Sequence, residues 1–289
     1  MTLTAFYDLE FGPVSFDFVT FLVRAMMERD RRGCDGLHVV VVPHEAGLGG
    51  FSRHWGPHDE AATRWRLWHI VVAACPLAGA TVTLAATREQ ARKMSYRAEH
   101  SWAPEGKAHL AAPIMDAARK GTPVPRLAAT EAARRYVDAW LVREGRKVVT
   151  LTMRRQSNDP ARNADRAAWL ALAAWLEKVG YCVVTLDDAH DALCKGRGYV
   201  ELDVDLRLAL YERAAMNVVG NNGLAALLWH SAAPYLRVAA GLPAEWKANI
   251  GLAQGEQIPW ATRDQVLMYA PDTFEAMRAA LTDWENAKP

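Results

Sequence analysis

The sequence predicts two doubly wound α/β units in tandem, each a parallel sheet covered by helices. Three observations carry this expectation. Short β-branched runs alternate with amphipathic helical patterns. The rhythm stops once and restarts near Gly145. The chain has 289 residues, 51% of them hydrophobic, enough apolar material for two cores of about 140 residues each.

In the first half, Thr4–Leu9 reads as a strand that runs into Asp8 and Glu10. Pro13 and Ser15 are start signals for an amphipathic helix reaching about Arg32. Leu37–Val42 is a continuous β-branched run, the pattern of a parallel strand buried on both faces. A Gly-rich loop, Pro43 to Pro57, leads into a helix over Asp59–Cys75, a strand over Ala80–Ala86 and a helix from Arg88 to Met94. Leu67 to Ala86 imitates a membrane span, but Pro76 and Gly79 divide it into helix, turn and strand. The stretch Ala103–Pro125, with four prolines, reads as irregular, and a long helix follows over Arg126–Arg143.

The second half repeats the alternation. Lys147–Met153 is a strand, Arg154–Arg162 a charged loop, and Asn163–Val179 a helix stopped by Gly180. Tyr181–Leu186 is a strand ending at Asp187 and Asp188. Then come a helix (Asp205–Ala214), a strand (Met216–Val219), a helix (Gly223–Ser231), a strand (Tyr235–Val238) and a closing helix (Pro271–Glu285).

The formal net charge of +1 speaks against a nucleic-acid binder, and the charge is unevenly spread. Between Arg88 and Arg166 there are 17 Lys/Arg and 9 Asp/Glu, half of all the basic residues. A neutral chain with a basic waist suits a small anionic ligand better than a polyanion. Cys34, Cys75, Cys182 and Cys194 lie far apart in apolar stretches, which predicts buried free thiols and a reducing cytoplasm. The first ten residues lack a signal-peptide pattern, and the expected location is cytoplasmic, with peripheral membrane contact left open.

In doubly wound sheets, ligands bind beyond the carboxyl ends of the strands. The strand Lys147–Met153 runs into Arg154-Arg155, with Arg162-Asn163 at the next helix start. Three arginines within nine residues beside a helix N-terminus match a diphosphate, because the guanidinium fork pairs with phosphate oxygens and the helix end adds N–H groups. The alternative is a solvated basic loop. The strand Met216–Val219 enters Gly220-Asn221-Asn222-Gly223, a turn suited to hydroxyls or phosphate, or simply a tight turn with an Asn cap. Asp187 and Asp188 are placed to accept a ribose hydroxyl, or to cap the next element.

From Lys147 to Val238 the chain resembles the donor-binding half of GT-B glycosyltransferases. Leu151-Thr152-Met153-Arg154-Arg155 is similar to the strand-plus-arginine motif of the fucosyltransferase-like branch, although that motif usually has His before its arginines and an acid after them. Asp205–Ala214 followed by Asn217–Gly223 resembles the family's helix–strand–turn, and heptosyltransferases have a comparable turn near the donor. Phe6–Glu10, Ser15–Phe18 and Pro259-Trp260-Ala261-Thr262 resemble proteins of bacterial surface-polysaccharide synthesis.

The resemblance implies two Rossmann-like domains facing a central cleft, an acceptor-side domain (1–145) and a nucleotide-sugar domain (146–289), with the last helix packing back on the first. It implies a metal-independent glycosyltransferase of the hexosyl or deoxyhexosyl class, with a nucleotide-sugar donor, a glycan or small-molecule acceptor, no cofactor and no bound metal. Arg154, Arg155, Arg162, Asn163, Asp187, Asn221, Asn222 and Gly223 would bind the donor. Asp8 and Glu10, just past the first strand, are the candidate catalytic bases; Asp17 lies one helical turn further on, and His44 is held in reserve.

Other features exclude more than they suggest. His44, His54 and His58 follow no standard zinc spacing. Trp65 and Trp68 sit at helical spacing, which favours core packing over sugar stacking. There is no G-x-S-x-G for a hydrolase and no G-x-G-x-x-G for a dehydrogenase. The rival from another class is a non-catalytic sugar-nucleotide or glycan-binding protein that keeps the fold.

Overall fold

The computed structural model describes residues 1–45, 60–94, 100–104, 106–107, 109–154, 163–187, 203–238 and 250–287. The chain divides into two compact units, Met1–Ala128 and Ala129–Pro289.

The first unit is built on a four-stranded, all-parallel sheet. Its strands are β1 (Thr2–Asp8), β2 (Gly36–Val42), β3 (Ala80–Leu84) and β4 (Ser101–Trp102), in the order β3-β2-β1-β4. Helix α1 (Phe18–Arg31) buries Phe18, Phe21 and Leu22. The rings of Phe18 and Phe21 each lie 4.8 Å from that of Tyr7 on β1, and the Tyr7 hydroxyl donates to the carbonyl of Pro13 at 2.6 Å. Gly12 is required there, since a Cβ would stand 2.5 Å from the Tyr7 ring.

The expected helix over Asp59–Cys75 is composite: α2 (Glu60–Arg66), a π-helical turn (Leu67–Val72), and a 3₁₀ turn (Cys75–Ala78) that ends at left-handed Gly79. Among the described residues, no helix is long and apolar enough to cross a membrane. α3 (Arg88–Met94) stands as expected. The proline-rich stretch is not wholly irregular: it contains α4 (Ala112–Arg119), with Pro113 in the first turn, where proline's missing N–H has no helical partner to lose.

Charge pairing closes the end of α1. The guanidinium of Arg31 donates to Glu28 at 2.7 and 2.8 Å, and Arg32 Nε donates at 2.6 Å. Arg31 first, and Arg32 with it, hold the Glu28 carboxyl below its ordinary value against the opposing effect of partial burial. This contribution to stability is therefore complete above the unfolded-state value of about 4.3 and is lost as pH falls through the lower folded value. Glu28→Gln is expected to flatten the dependence of Tm on pH below about 4.3, measured by thermal melts at closely spaced pH values.

The second unit carries five parallel strands: β5 (Val148–Met153), β6 (Cys182–Asp187), β7 (Met216–Val219), β8 (Tyr235–Val238) and β9 (Gln265–Met268), in the order β6-β5-β7-β8-β9. All six residues of β5 are buried. α6 (Arg166–Lys178) lays Trp169, Leu172 and Leu176 on the sheet. β9 has only four residues and no alternation to announce it. Its Gln265 is buried because its side-chain amide donates to the carbonyls of Ser231 and Ala233 at 3.0 and 2.9 Å.

One expectation needs correction. Helix α5 (Glu131–Glu144) belongs to the second unit, so the division falls before it and not near Gly145. The reason is polar pairing with α7 (Val204–Arg213). Arg134 meets Glu212 at 2.7 and 3.1 Å, Asp138 accepts from Arg213 at 2.7 and 3.1 Å, and Thr130 N donates to Asp205 at 2.7 Å. After the short helix α8 (Ala225–Trp229), the chain closes with α9 (Phe274–Asn286). α9 packs on the second unit's own core through Met277 and Leu281, with Trp284 Nε1 donating to Asp264 at 2.8 Å. Cys34, Cys75 and Cys182 are buried free thiols, as expected; burial pushes Cys75 up to about 12.

Candidate functional site

The strand order of the second unit marks where a ligand crevice would lie. β6 lies on one side of β5 and β8 lies beyond β7 on the other, so the connections leaving β5 and β7 run in opposite directions, the arrangement that leaves a crevice at the carboxyl ends of those two strands. Arg154 directly follows β5, and Gly220-Asn221-Asn222 directly follows β7. The two segments touch: Gly220 N donates to Thr152 O at 3.0 Å. Arg154 is only 4% exposed. A buried guanidinium at a strand's carboxyl end is costly to desolvate, which makes it a functional candidate and not surface decoration.

A buried polar layer stiffens the strands beneath. Thr150 donates to Asn217 at 2.6 Å, Thr152 and Tyr211 pair at 2.9 Å, and the Asn217 amide reaches the carbonyls of Tyr211 and Pro234. Beside the turn stands Arg237 of β8, which sequence reasoning missed because it is hidden in the apolar run Tyr235-Leu236-Arg237-Val238. It is 3% exposed, its guanidinium lies 4.0 Å over the Trp229 ring, and its Nη2 donates to Asn221 Oδ1 at 3.3 Å. A basic residue directly before the end of a buried strand was the available signal.

The proposed donor residues fare differently. Arg154, Asn221, Asn222 and Gly223 are brought together at the crevice. Asn222 is committed to the turn: its Oδ1 accepts from Ala225 N at 3.2 Å and its Nδ2 reaches Thr152 O at 3.5 Å. Asn163 lies near the start of α6, where Ala164 N returns to Arg154 O at 3.2 Å. The first N–H groups of α6 are not open to a ligand, because Asp165 Oδ1 accepts from Ala167 N and Ala168 N. Asp187 ends β6, paired in register with Met153. Arg155, Arg162 and Asp188 lie outside the described residues, as do His54, Trp55, His58 and Cys194.

The first unit gathers a second cluster at the carboxyl ends of β1 and β2. Asp8 ends β1 and receives both terminal nitrogens of Arg88, Nη1 at 2.8 Å and Nη2 in a still shorter contact. Arg88 Nη1 also donates to Pro43 O at 3.0 Å, and the Asp8 carboxylate raises the guanidinium's pKa. Asp8 Oδ1 further accepts from Glu10 N at 2.9 Å. Asp8 is therefore an anchor, charge-neutralised and fixed, while Glu10 projects onward to His44, Nε2 to Oε2 2.9 Å. A carboxylate holding an imidazole in one orientation is a general acid–base arrangement. Asp17 is turned to Ser15, whose hydroxyl donates to it at 2.8 Å.

The tryptophans divide. Trp102 stacks on Phe21 with centroids 5.6 Å apart, as core packing requires. Trp65 and Trp68 do not follow the core expectation. Trp68 is 53% exposed, Trp65 stacks on His69 at 4.7 Å, and all three line a surface cavity of about 590 Å³ with Glu60 and Arg64.

No protein-family model matches the sequence, and no curated protein is similar to it. Solved structures are. The chain is similar to the ADP-heptose lipopolysaccharide heptosyltransferase II of Escherichia coli, with a TM-score of 0.50 and 14% identity over 99% of this chain and 100% of that one. It is also similar to a family 9 glycosyl transferase of Veillonella parvula, with a TM-score of 0.50 and 9% identity over 97% of this chain and 89% of that one. At such identities the likeness speaks for the fold. It gives nothing specific to the fucosyltransferase resemblance. The chain thus has two parallel-sheet α/β units of the GT-B kind.

Proposed function

We propose that this chain is a glycosyltransferase that takes a nucleotide-diphosphate sugar on its second unit and passes the sugar to a glycan hydroxyl. The observation that carries the reading is Arg154, buried at the carboxyl end of β5 beside the Gly220–Asn222 turn, at the strand-order switch. As the bond between the sugar and the diphosphate breaks, negative charge gathers on the leaving phosphates, and a desolvated guanidinium already in place stabilises it without reorganisation. That cationic role is the one a metal would otherwise fill, which supports a metal-independent reaction. The acceptor hydroxyl loses its proton to the Glu10–His44 pair, with Asp8 and Arg88 holding Glu10 in position.

A neighbour named as an ADP-heptose lipopolysaccharide heptosyltransferase favours a sugar-nucleotide donor and a surface-polysaccharide acceptor. The sugar we assign is hexosyl or deoxyhexosyl. The locking of Asp8 by Arg88 favours one second reading, a non-catalytic sugar-nucleotide or glycan-binding protein.

A thermal-shift screen with GDP, UDP, ADP and CMP tests the donor site. At about 100 times Kd a ligand adds about 2.7 kcal/mol, expected to raise Tm by roughly 5–10 °C for one of the four. If none of them raises Tm, the donor site is not where we place it.

A further inference from the structure

We propose that the outer face of α2 and its π-helical turn is a glycan-binding subsite, which takes an uncharged saccharide with one sugar ring laid on the indole of Trp68. Its role as an anchor for the acceptor rests on the transferase reading above. Leu67, Ile70 and Val71 bury one side of this element. The other side presents Glu60, Arg64, Trp65, Trp68 and His69, which with Ala61 line a cavity of about 590 Å³. That volume is within the usual range for a small-ligand pocket, and aromatic walls with a few polar groups are the usual lining.

The lining suits a sugar in both its apolar and its polar parts. Trp65 is held by stacking on His69, the rings 4.7 Å apart and 24° from parallel. Trp68 is left 53% exposed. The face of an indole is its electronegative side, and it is matched by the weakly positive C–H groups on the apolar face of a pyranose. Beside the rings, Arg64 Nη2 donates to Glu60 Oε1 at 2.7 Å. A carboxylate only accepts and a guanidinium only donates, so the pair offers both partners that a sugar hydroxyl can use. The same pairing cancels the two charges. The cavity therefore lacks the cationic excess that would draw a diphosphate or an anionic membrane surface, and it complements an uncharged ring with one apolar face.

The test is calorimetric titration of the full chain with hexasaccharides of glucose, mannose and galactose, and with oligogalacturonate as the charged control. At least one neutral probe is expected to bind, and the galacturonate about 10-fold more weakly or not at all. Trp68→Ala is expected to weaken binding of the neutral probe about 10-fold or more, and Trp68→Phe, which keeps an aromatic face, by no more than about 3-fold. Replacing the pair together, Glu60→Gln with Arg64→Met, is expected to cost about 10-fold. These side chains are exposed, so the ligand-free Tm should move by no more than about 2 °C, and a lost affinity is then not a lost fold. The proposal is overturned if no neutral hexasaccharide binds, if galacturonate binds as tightly, or if Trp68→Ala binds as the wild type does. Trp68-dependent sedimentation with vesicles of phosphatidylcholine and phosphatidylglycerol, without saccharide binding, would give the face to a membrane and overturn it too. The nucleotide screen reads the donor site separately. Nucleotide binding without saccharide binding removes the subsite alone, whereas saccharide binding without nucleotide binding removes the transferase reading and leaves a glycan-binding protein.

Discussion

Arg154→Ala is expected to weaken nucleoside-diphosphate binding by about 10- to 150-fold, the effect of removing charge-assisted hydrogen bonds worth roughly 1.5–3 kcal/mol. The size follows from burial. At 4% exposure the guanidinium is already stripped of most of its water, so phosphate oxygens that meet it displace little hydration. Arg154→Lys keeps the charge but not the planar fork and is expected to fall between the two. Calorimetric titration of both variants, with the ligand-free Tm recorded beside each, separates a lost ligand contact from a damaged fold. Equal affinity in wild type and Arg154→Ala would remove Arg154 from the donor site.

The second large effect is expected at the other unit. Glu10→Ala and His44→Ala should each leave nucleotide affinity within about 2-fold of wild type while lowering turnover by about 10²- to 10⁴-fold, the usual worth of a positioned general base. Release of nucleoside diphosphate from the sugar nucleotide, with water or a glycan as acceptor, reports the turnover. His44 depends on Glu10 for its orientation, so the double variant should be little worse than either single one. Asp8→Asn is expected to act through the same pair, since Asp8 Oδ1 accepts the Glu10 N–H at 2.9 Å and the carboxylate receives Arg88. Binding without measurable turnover in the wild type would favour the non-catalytic reading.

The sequence alone determined the secondary structure well where the signal is local. Met216–Val219 and Tyr235–Val238 are strands over the expected residues, and β5, β6, α6 and α7 differ from expectation by one to three residues at their ends, because continuous β-branched runs and 3.6-residue periodicity are properties of neighbours along the chain. It also pointed to Arg154 and the Gly220–Gly223 turn, since a strand running into arginines or into Gly-Asn is visible in one dimension.

Tertiary structure decided what depends on partners distant in the chain. Arg88 lies 80 residues from Asp8, and only their meeting shows that Asp8 is an anchor and not a free base. Arg134 with Glu212 and Arg213 with Asp138, 78 and 75 residues apart, draw α5 into the second unit and move the division of the chain. Arg237 reads as one cation in an apolar strand until Trp229 and Asn221 fold around it. Periodicity records which face a residue turns inward; what it finds there is set by residues the chain brings back from far away, and the chemistry of a site lives in those meetings.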